Sequence, residues 1–117
     1  MKKVALVLFC AVVINSGSVS AHDRKIGLLM DATCGQRLAD SPEEAASHLV
    51  SCSLRESCVT AGFGVLIEGK FYKFDKMGDK LALMIFQSTD KKANVRVRVD
   101  AHFDKDVISP AILEPFN

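Results

Sequence analysis

The sequence predicts a small α+β domain, with five strands in a curled sheet or an OB-like barrel, one or two N-terminal helices and a short inserted helix. Three observations carry this prediction. Val95, Val97, Val99, Ala101 and Phe103 alternate with Arg96, Arg98, Asp100 and His102, the period of a strand with one dry and one wet face. Two apolar, aromatic runs at 63–67 and 70–74 flank Glu68-Gly69, as the arms of a hairpin flank its turn. Ser41-Pro42-Glu43-Glu44 reads as a helix start, with Ser41 as cap, Pro42 in the first turn and Glu44 closing a capping box. A two-layer α+β sandwich fits the same order of elements.

Taken in chain order, the run 25–30 (KIGLLM) is long enough for a buried strand and too short for a helix with its own core face. Residues 31–40 carry little periodicity and read as a loop turning at Cys34-Gly35. From Ser41 a helix places Ala45, Leu49 and Cys52 on one stripe, with His48 one turn before Cys52. A second Ser-x-x-Glu at Ser53–Glu56 allows either one long helix or a break after Cys52 and a new short helix ending near Gly62. Residues 75–79 read as a loop. The apolar segment 80–87 mixes helix formers (Leu, Ala, Met) with strand formers (Ile, Phe) and is read as the inserted helix. A polar link at 88–93 precedes the alternating strand, and a turn at 104–106 leads to a last strand, 107–113, which Pro110 confines to an edge or ends early.

Composition narrows the functional classes. The chain has 117 residues, 49% hydrophobic and 25% charged, which suits one folded domain and argues against disorder. A net charge of +1 argues against a nucleic-acid binder that works by bulk electrostatics. Residues 1–21 read as an export signal, with Lys2 and Lys3 ahead of an apolar stretch at 4–14 and small residues at Val19-Ser20-Ala21. That stretch falls short of the roughly 20 residues a membrane span needs, so no stable membrane anchor is expected. Cys10 lies inside the stretch, behind Val7-Leu8-Phe9, a poor setting for lipid attachment. Cleavage leaves residues 22–117 as one exported domain, periplasmic or secreted, with 13 basic and 14 acidic side chains and the cysteines Cys34, Cys52 and Cys58.

Export permits disulfides, but three cysteines cannot all pair within one chain. A Cys34–Cys52 bridge closes 19 residues and would contribute about 3 kcal/mol if unstrained, only a few tenths different from Cys34–Cys58. Direction must therefore decide. In an unbroken helix Cys52 and Cys58 point about 120° apart, and the Ala45–Leu49 stripe turns Cys52 toward the first strand. That reading leaves Cys58 as the odd thiol, free, metal-bound or joined to another molecule.

Cys34, His48, Cys52 and Cys58 also make a three-cysteine, one-histidine set suited to Zn²⁺, although their spacing matches no compact zinc motif. If cleavage follows Ala21, the new amine and imidazole of His22 can chelate Cu²⁺, with His48 or His102 completing a site of N and O ligands. Arg96, Arg98 and His102, with Lys73, Lys76, Lys91, Lys92, Phe71 and Tyr72, have the composition of an OB-type single-strand surface. Asp100 interrupts that stripe and the mature charge is not positive, so no nucleic-acid partner is expected. No Ser/His/Asp order, phosphate loop, paired carboxylates or C-x-x-C is present, which points away from an enzyme.

Gly27-Leu28-Leu29-Met30-Asp31-Ala32-Thr33-Cys34-Gly35, then His48, Cys52, Cys58 and the run Gly69–Asp75, resemble a group of small exported bacterial proteins. In that group a G-x-x-x-D-x-x-C-G start precedes a cysteine-bearing helix and a C-terminal β region. The resemblance implies an exported domain whose cysteines belong to its scaffold or to a shared site. The function expected from residues and resemblance together is non-enzymatic binding or envelope homeostasis, with metal binding as the alternative.

N-terminal sequencing of the exported protein is predicted to begin at or within a few residues of His22; a protein that retains Met1 in the cytoplasm would contradict this.

Overall fold

Asp23–Asp31 forms the long strand β1, to which most of the molecule attaches. The computed structural model describes residues 22–116, and the export signal expected at 1–21, with Cys10, lies outside them. After β1 come four short helices, α1 (Ala32–Arg37), α2 (Pro42–Ser47), α3 (Val50–Ser53) and α4 (Glu56–Ala61). The hairpin β2 (Phe63–Ile67) and β3 (Lys70–Phe74) follows, then α5 (Lys76–Ser88), β4 (Arg96–Ala101), β5 (Val107–Ile108) and β6 (Ile112–Pro115). The sheet order is β5-β3-β2-β1-β4-β6, antiparallel except for the parallel β3–β5 pair.

The sheet must curl. Six strands about 4.8 Å apart would span about 24 Å if flat, yet β5 and β6 lie at opposite edges and are joined by a chain whose reach from Ile108 to Ile112 is about 14 Å. Only a half-barrel brings the edges that close. Pro110 sits at the break: lacking an N–H, it cannot continue a ladder, and the strand foreseen at 107–113 is divided there. Counting β5 and β6 as one interrupted strand restores the five expected. β1 then pairs with β2 and β4, and the last strand runs parallel to β3 and antiparallel to β4, with α5 inserted before β4. The fold is α+β, and the curled sheet is OB-like in this connectivity.

Alternation along the strands builds two cores. Leu29, Val65, Ile67, Tyr72, Val97 and Val99 face the barrel interior with Phe63, Phe74, Ala82, Ile85, Phe86 and Ile108. Met30 and Leu66 face outward and are covered by Leu38 and Ala45, with Leu28, Cys34 and Phe71 against them. Hence every residue of β2 is buried, and its sequence reads as an unbroken apolar run. Glu68 and Gly69 both take positive φ (48° and 80°), as a two-residue type I′ turn requires, so the foreseen hairpin is in register.

The helical region departs from the sequence reading. The loop assigned to 31–40 is largely α1, started by Asp31, whose side chain accepts from the Cys34 N–H. A glycine inside this helix is costly by propensity. Gly35 is there because a Cβ would run into the Phe71 ring, which also lies over Gly64 of β2. The segment from Ser41 starts a helix as foreseen, with Pro42 in the first turn, but Ser41 makes no side-chain cap. The long-helix option fails. His48 and Leu49 are extended (ψ 126° and 140°), Leu49 bridges Ala93 and is half exposed, and the supposed Ala45–Leu49–Cys52 stripe does not exist. The break permitted near Cys52 does occur: α4 is separate and stops at Gly62 (φ 91°).

The loop assigned to 75–79 belongs to α5. Asp75 caps that helix by accepting from the Gly78 N–H at 2.9 Å, and it takes the Ser109 hydroxyl at 2.6 Å. The buried set Ala82, Ile85 and Phe86 has helical spacing, which settles the ambiguous apolar run.

The Ser109 hydroxyl first, and then the Gly78 N–H, hold the Asp75 carboxyl below its ordinary value of 3.8. Because the folded value lies below the unfolded one, this contribution is complete above the unfolded value and is lost as pH falls through the folded one. Asp75→Ala is predicted to cost about 1 kcal/mol at neutral pH, lowering the melting temperature by about 4 to 8 °C, with the gap from the native chain shrinking at strongly acid pH. Thermal unfolding followed across pH checks both parts.

Candidate functional site

Where β1 ends, the chain must turn into α1, and Asp31 makes that turn. It is fully buried, one of two buried polar or charged side chains among the described residues; the other is Ser53. Asp31 Oδ2 accepts from the Cys34 N–H at 2.9 Å. Its Oδ1 accepts from the Ser53 hydroxyl at 2.8 Å and meets His48 Nε2 at 3.0 Å. Burial by itself pushes this carboxyl up; the donors from Cys34, Ser53 and His48 together outweigh burial and hold it below its ordinary value. An ionised carboxylate is thus stable at the end of the barrel.

Two helices, α1 and α3, and the link between α2 and α3 supply the partners. The Ala32 N–H is taken by Gly62 O at 2.8 Å, which ties the start of α1 to the end of α4. The extended link between α2 and α3 turns His48 toward Asp31, and the next turn of chain delivers Ser53. The Ser53-x-x-Glu56 signature was misleading for this reason: its hydroxyl serves Asp31, and Arg55 holds the cap position of α4.

Ligand atoms of Asp31, Cys34 and His48 lie within 4.8 Å of one another. Cys34 is half-buried, and its Sγ accepts from an Arg37 guanidinium nitrogen at 3.5 Å. The Cys58 thiol on α4 adjoins this group, where burial and then the charge of Asp31 push its pKa up, with Cys34 contributing further. The structure therefore brings together Cys34 and His48 from the expected set, adds Asp31, and places Cys58 alongside. Cys52 is half-buried on α3 and does not join the group. All three described cysteines are free thiols, and the unbroken helix that favoured Cys52 over Cys58 as the partner of Cys34 is absent. Asp31 was missed as a site residue because it closes an apolar strand; the available signal was an Asp just ahead of a short helix, a strong N-cap.

The remaining candidates fall elsewhere. Tyr72 points into the barrel core and Phe71 against Gly35 on the outer face, so the two aromatics do not share a surface. Arg98 pairs with Glu114 at 2.9 Å and lies over Phe116, while Lys73 pairs with Asp79 at 3.2 Å. With His48 engaged by Asp31, the ring next to His22 is that of His102, 4.0 Å between centroids. No described helix is long and apolar enough to cross a membrane. No family model, curated protein or solved structure matches the chain.

Asp31→Ala is predicted to destabilise the protein by about 3 kcal/mol or more, since it strands the Cys34 N–H, the Ser53 hydroxyl and His48 in a buried place. Ser53→Ala removes one donor and leaves His48 and the Cys34 N–H in position, costing about 1 kcal/mol. Urea unfolding of the two variants tests the ordering; equal losses would contradict it.

Proposed function

We propose that the protein is a non-enzymatic, exported binding protein whose ligand is a thiophilic divalent metal ion, Zn²⁺ in the first instance, held by Asp31, Cys34 and His48. The observation that carries this reading is the convergence of one carboxylate oxygen, one thiol sulfur and one imidazole nitrogen within 4.8 Å. Zn²⁺ takes these three donors at about 2.0 to 2.3 Å, so ligand atoms of a tetrahedral site lie about 3.3 to 3.8 Å apart. The 3.0 Å between Asp31 Oδ1 and His48 Nε2 is already near that spacing, and the widest separation needs to close by about 1 Å. Charge favours the same conclusion: an ionised Asp31 and a Cys34 thiolate neutralise a dication that burial would otherwise penalise. Cys58, which adjoins the group on α4, is a further donor for the fourth position.

Calorimetric titration of the reduced, mature protein with Zn²⁺ is predicted to give one ion per chain. Ion at a hundredfold excess over Kd should stabilise the fold by about 2.7 kcal/mol. Cys34→Ser and His48→Ala should each weaken binding about tenfold or more, and Cys52→Ser should leave it unchanged. Failure of the fully reduced protein to take up Zn²⁺, or uptake indifferent to Cys34→Ser, overturns the proposal.

A further inference from the structure

At the opposite end of β1 the ladder assembles a second set of donors. Arg24 pairs with Asp100 and Asp23 with Ala101, and the same antiparallel register continued by one residue sets His22 opposite His102. Directly opposed residues project to the same face, and so do residues two apart on one strand; His22, Asp100 and His102 therefore share one face by the parity of the sheet. The side chains bear this out. His22 Nδ1 lies 3.2 Å from Asp100 Oδ1, and the His22 and His102 rings meet edge to face at 4.0 Å between centroids and 76° between planes.

The polar atoms here are poorly served. Among the described residues, Asp100 Oδ1 is buried and has no aligned hydrogen bond despite its nearness to His22, and His102 Nδ1 is buried with no partner. The other described cation close to Asp100 is Arg24, at 3.8 Å from Oδ2 and largely exposed. Buried polar atoms without partners are uncommon and call for a cause. For Asp100 Oδ1 a metal ion shared with His22 is a sufficient one: two donors each about 2 Å from a common ion, at angles of about 90 to 109°, lie about 2.8 to 3.3 Å apart. The His22–Asp100 spacing falls inside that interval.

We propose that removal of the export signal after Ala21 creates a Cu²⁺ site, distinct from the Asp31–Cys34–His48 group, in which the new amine and Nδ1 of His22 chelate the ion with Asp100 and His102. The two His22 nitrogens close a chelate ring from a single residue, Asp100 Oδ1 supplies an anionic oxygen, and His102 supplies a second imidazole once its ring turns toward the ion. A tetragonal set of nitrogen and oxygen donors selects Cu²⁺, or Ni²⁺, over the thiolate-seeking ions of the other group. The amine exists only after cleavage, so the site belongs to the exported form alone.

The test uses mature protein whose N-terminus has been sequenced. Cu²⁺ is titrated into the Cys34→Ser, Cys52→Ser, Cys58→Ser protein, which cannot reduce the ion through thiols. Ni²⁺ titration of the native chain provides a second measurement should that variant fold poorly. One Cu²⁺ per chain is expected, with nitrogen hyperfine structure in its electron paramagnetic resonance spectrum. His102→Ala, and separately a chain carrying Ser18–Ala21 ahead of His22, should each weaken binding about tenfold or more. In the Ni²⁺ measurement, His48→Ala should leave this site unchanged. A mature chain that starts anywhere other than His22, binding indifferent to His102→Ala, or equal binding by the extended chain overturns the proposal.

Discussion

A single ionised carboxylate, sealed from water, joins the sheet of this protein to its helical cap. Asp31 sits at the last position of β1 with no accessible surface, where an unpaired charge would be intolerable. Its oxygens take up the Cys34 N–H, the Ser53 hydroxyl and His48. Each donor arrives on a different piece of chain, so satisfying this one group dictates where α1 begins, how the link between α2 and α3 bends, and which way α3 faces. The cap is assembled from short helices because that carboxylate needs donors from several directions, and one continuous helix could not present His48 and Ser53 to the same oxygen.

The barrel answers to a different constraint. A domain of this size has little apolar surface with which to build a core, and here that surface is divided between a barrel interior and a smaller cluster beneath α1 and α2. Two close approaches keep the clusters dense. Gly35 and Gly64 admit the Phe71 ring between α1 and β2, and Gly78 lets the first turn of α5 rest on Phe74 and Pro110. Pro110 acts twice, filling the space over Gly78 and interrupting the last strand so that it can cross from β3 to β4. Asp75 holds the same corner by binding Ser109.

Much of this was legible in the sequence wherever burial has a simple period. The alternation from Val95 to Phe103, the hairpin about Glu68-Gly69 and the run 25–30 each became the strand they announce. The inserted helix and the stop at Gly62 followed from local propensity. What could not be read were polar side chains whose partners are distant in sequence. Asp31 looks like the end of an apolar run, and Ser53 like a cap, until the fold sets them 2.8 Å apart across 22 positions. The stripe through Leu49 and Cys52 failed for a related reason, since a local helical pattern was overridden by the extended backbone that carries His48 to Asp31. The cysteine and histidine set was recognisable by type, while its membership depended on helix breaks that no spacing reveals.

The two clusters of donors differ in the kind of scaffold that holds them, and the difference has chemical consequences. Asp31, Cys34 and His48 are gathered by helix starts and a bent link, so their relative positions depend on the hydrogen bonds that Asp31 itself makes. Any ion entering that group must share the carboxylate with Ser53 and the Cys34 N–H, which makes metal occupancy and the integrity of the cap one coupled property. Asp100 instead projects from β4, whose register is set by its pairing with β1 over Asp23–Leu28, and His22 and His102 lie one residue beyond the ends of β1 and β4. The ladder fixes Asp100 whether or not an ion is present, while His22 at the chain end and the His102 ring are free to adjust. The sulfur-containing group is therefore suited to an ion that stabilises the fold on binding, whereas the strand-borne group can capture and release one with the fold already complete.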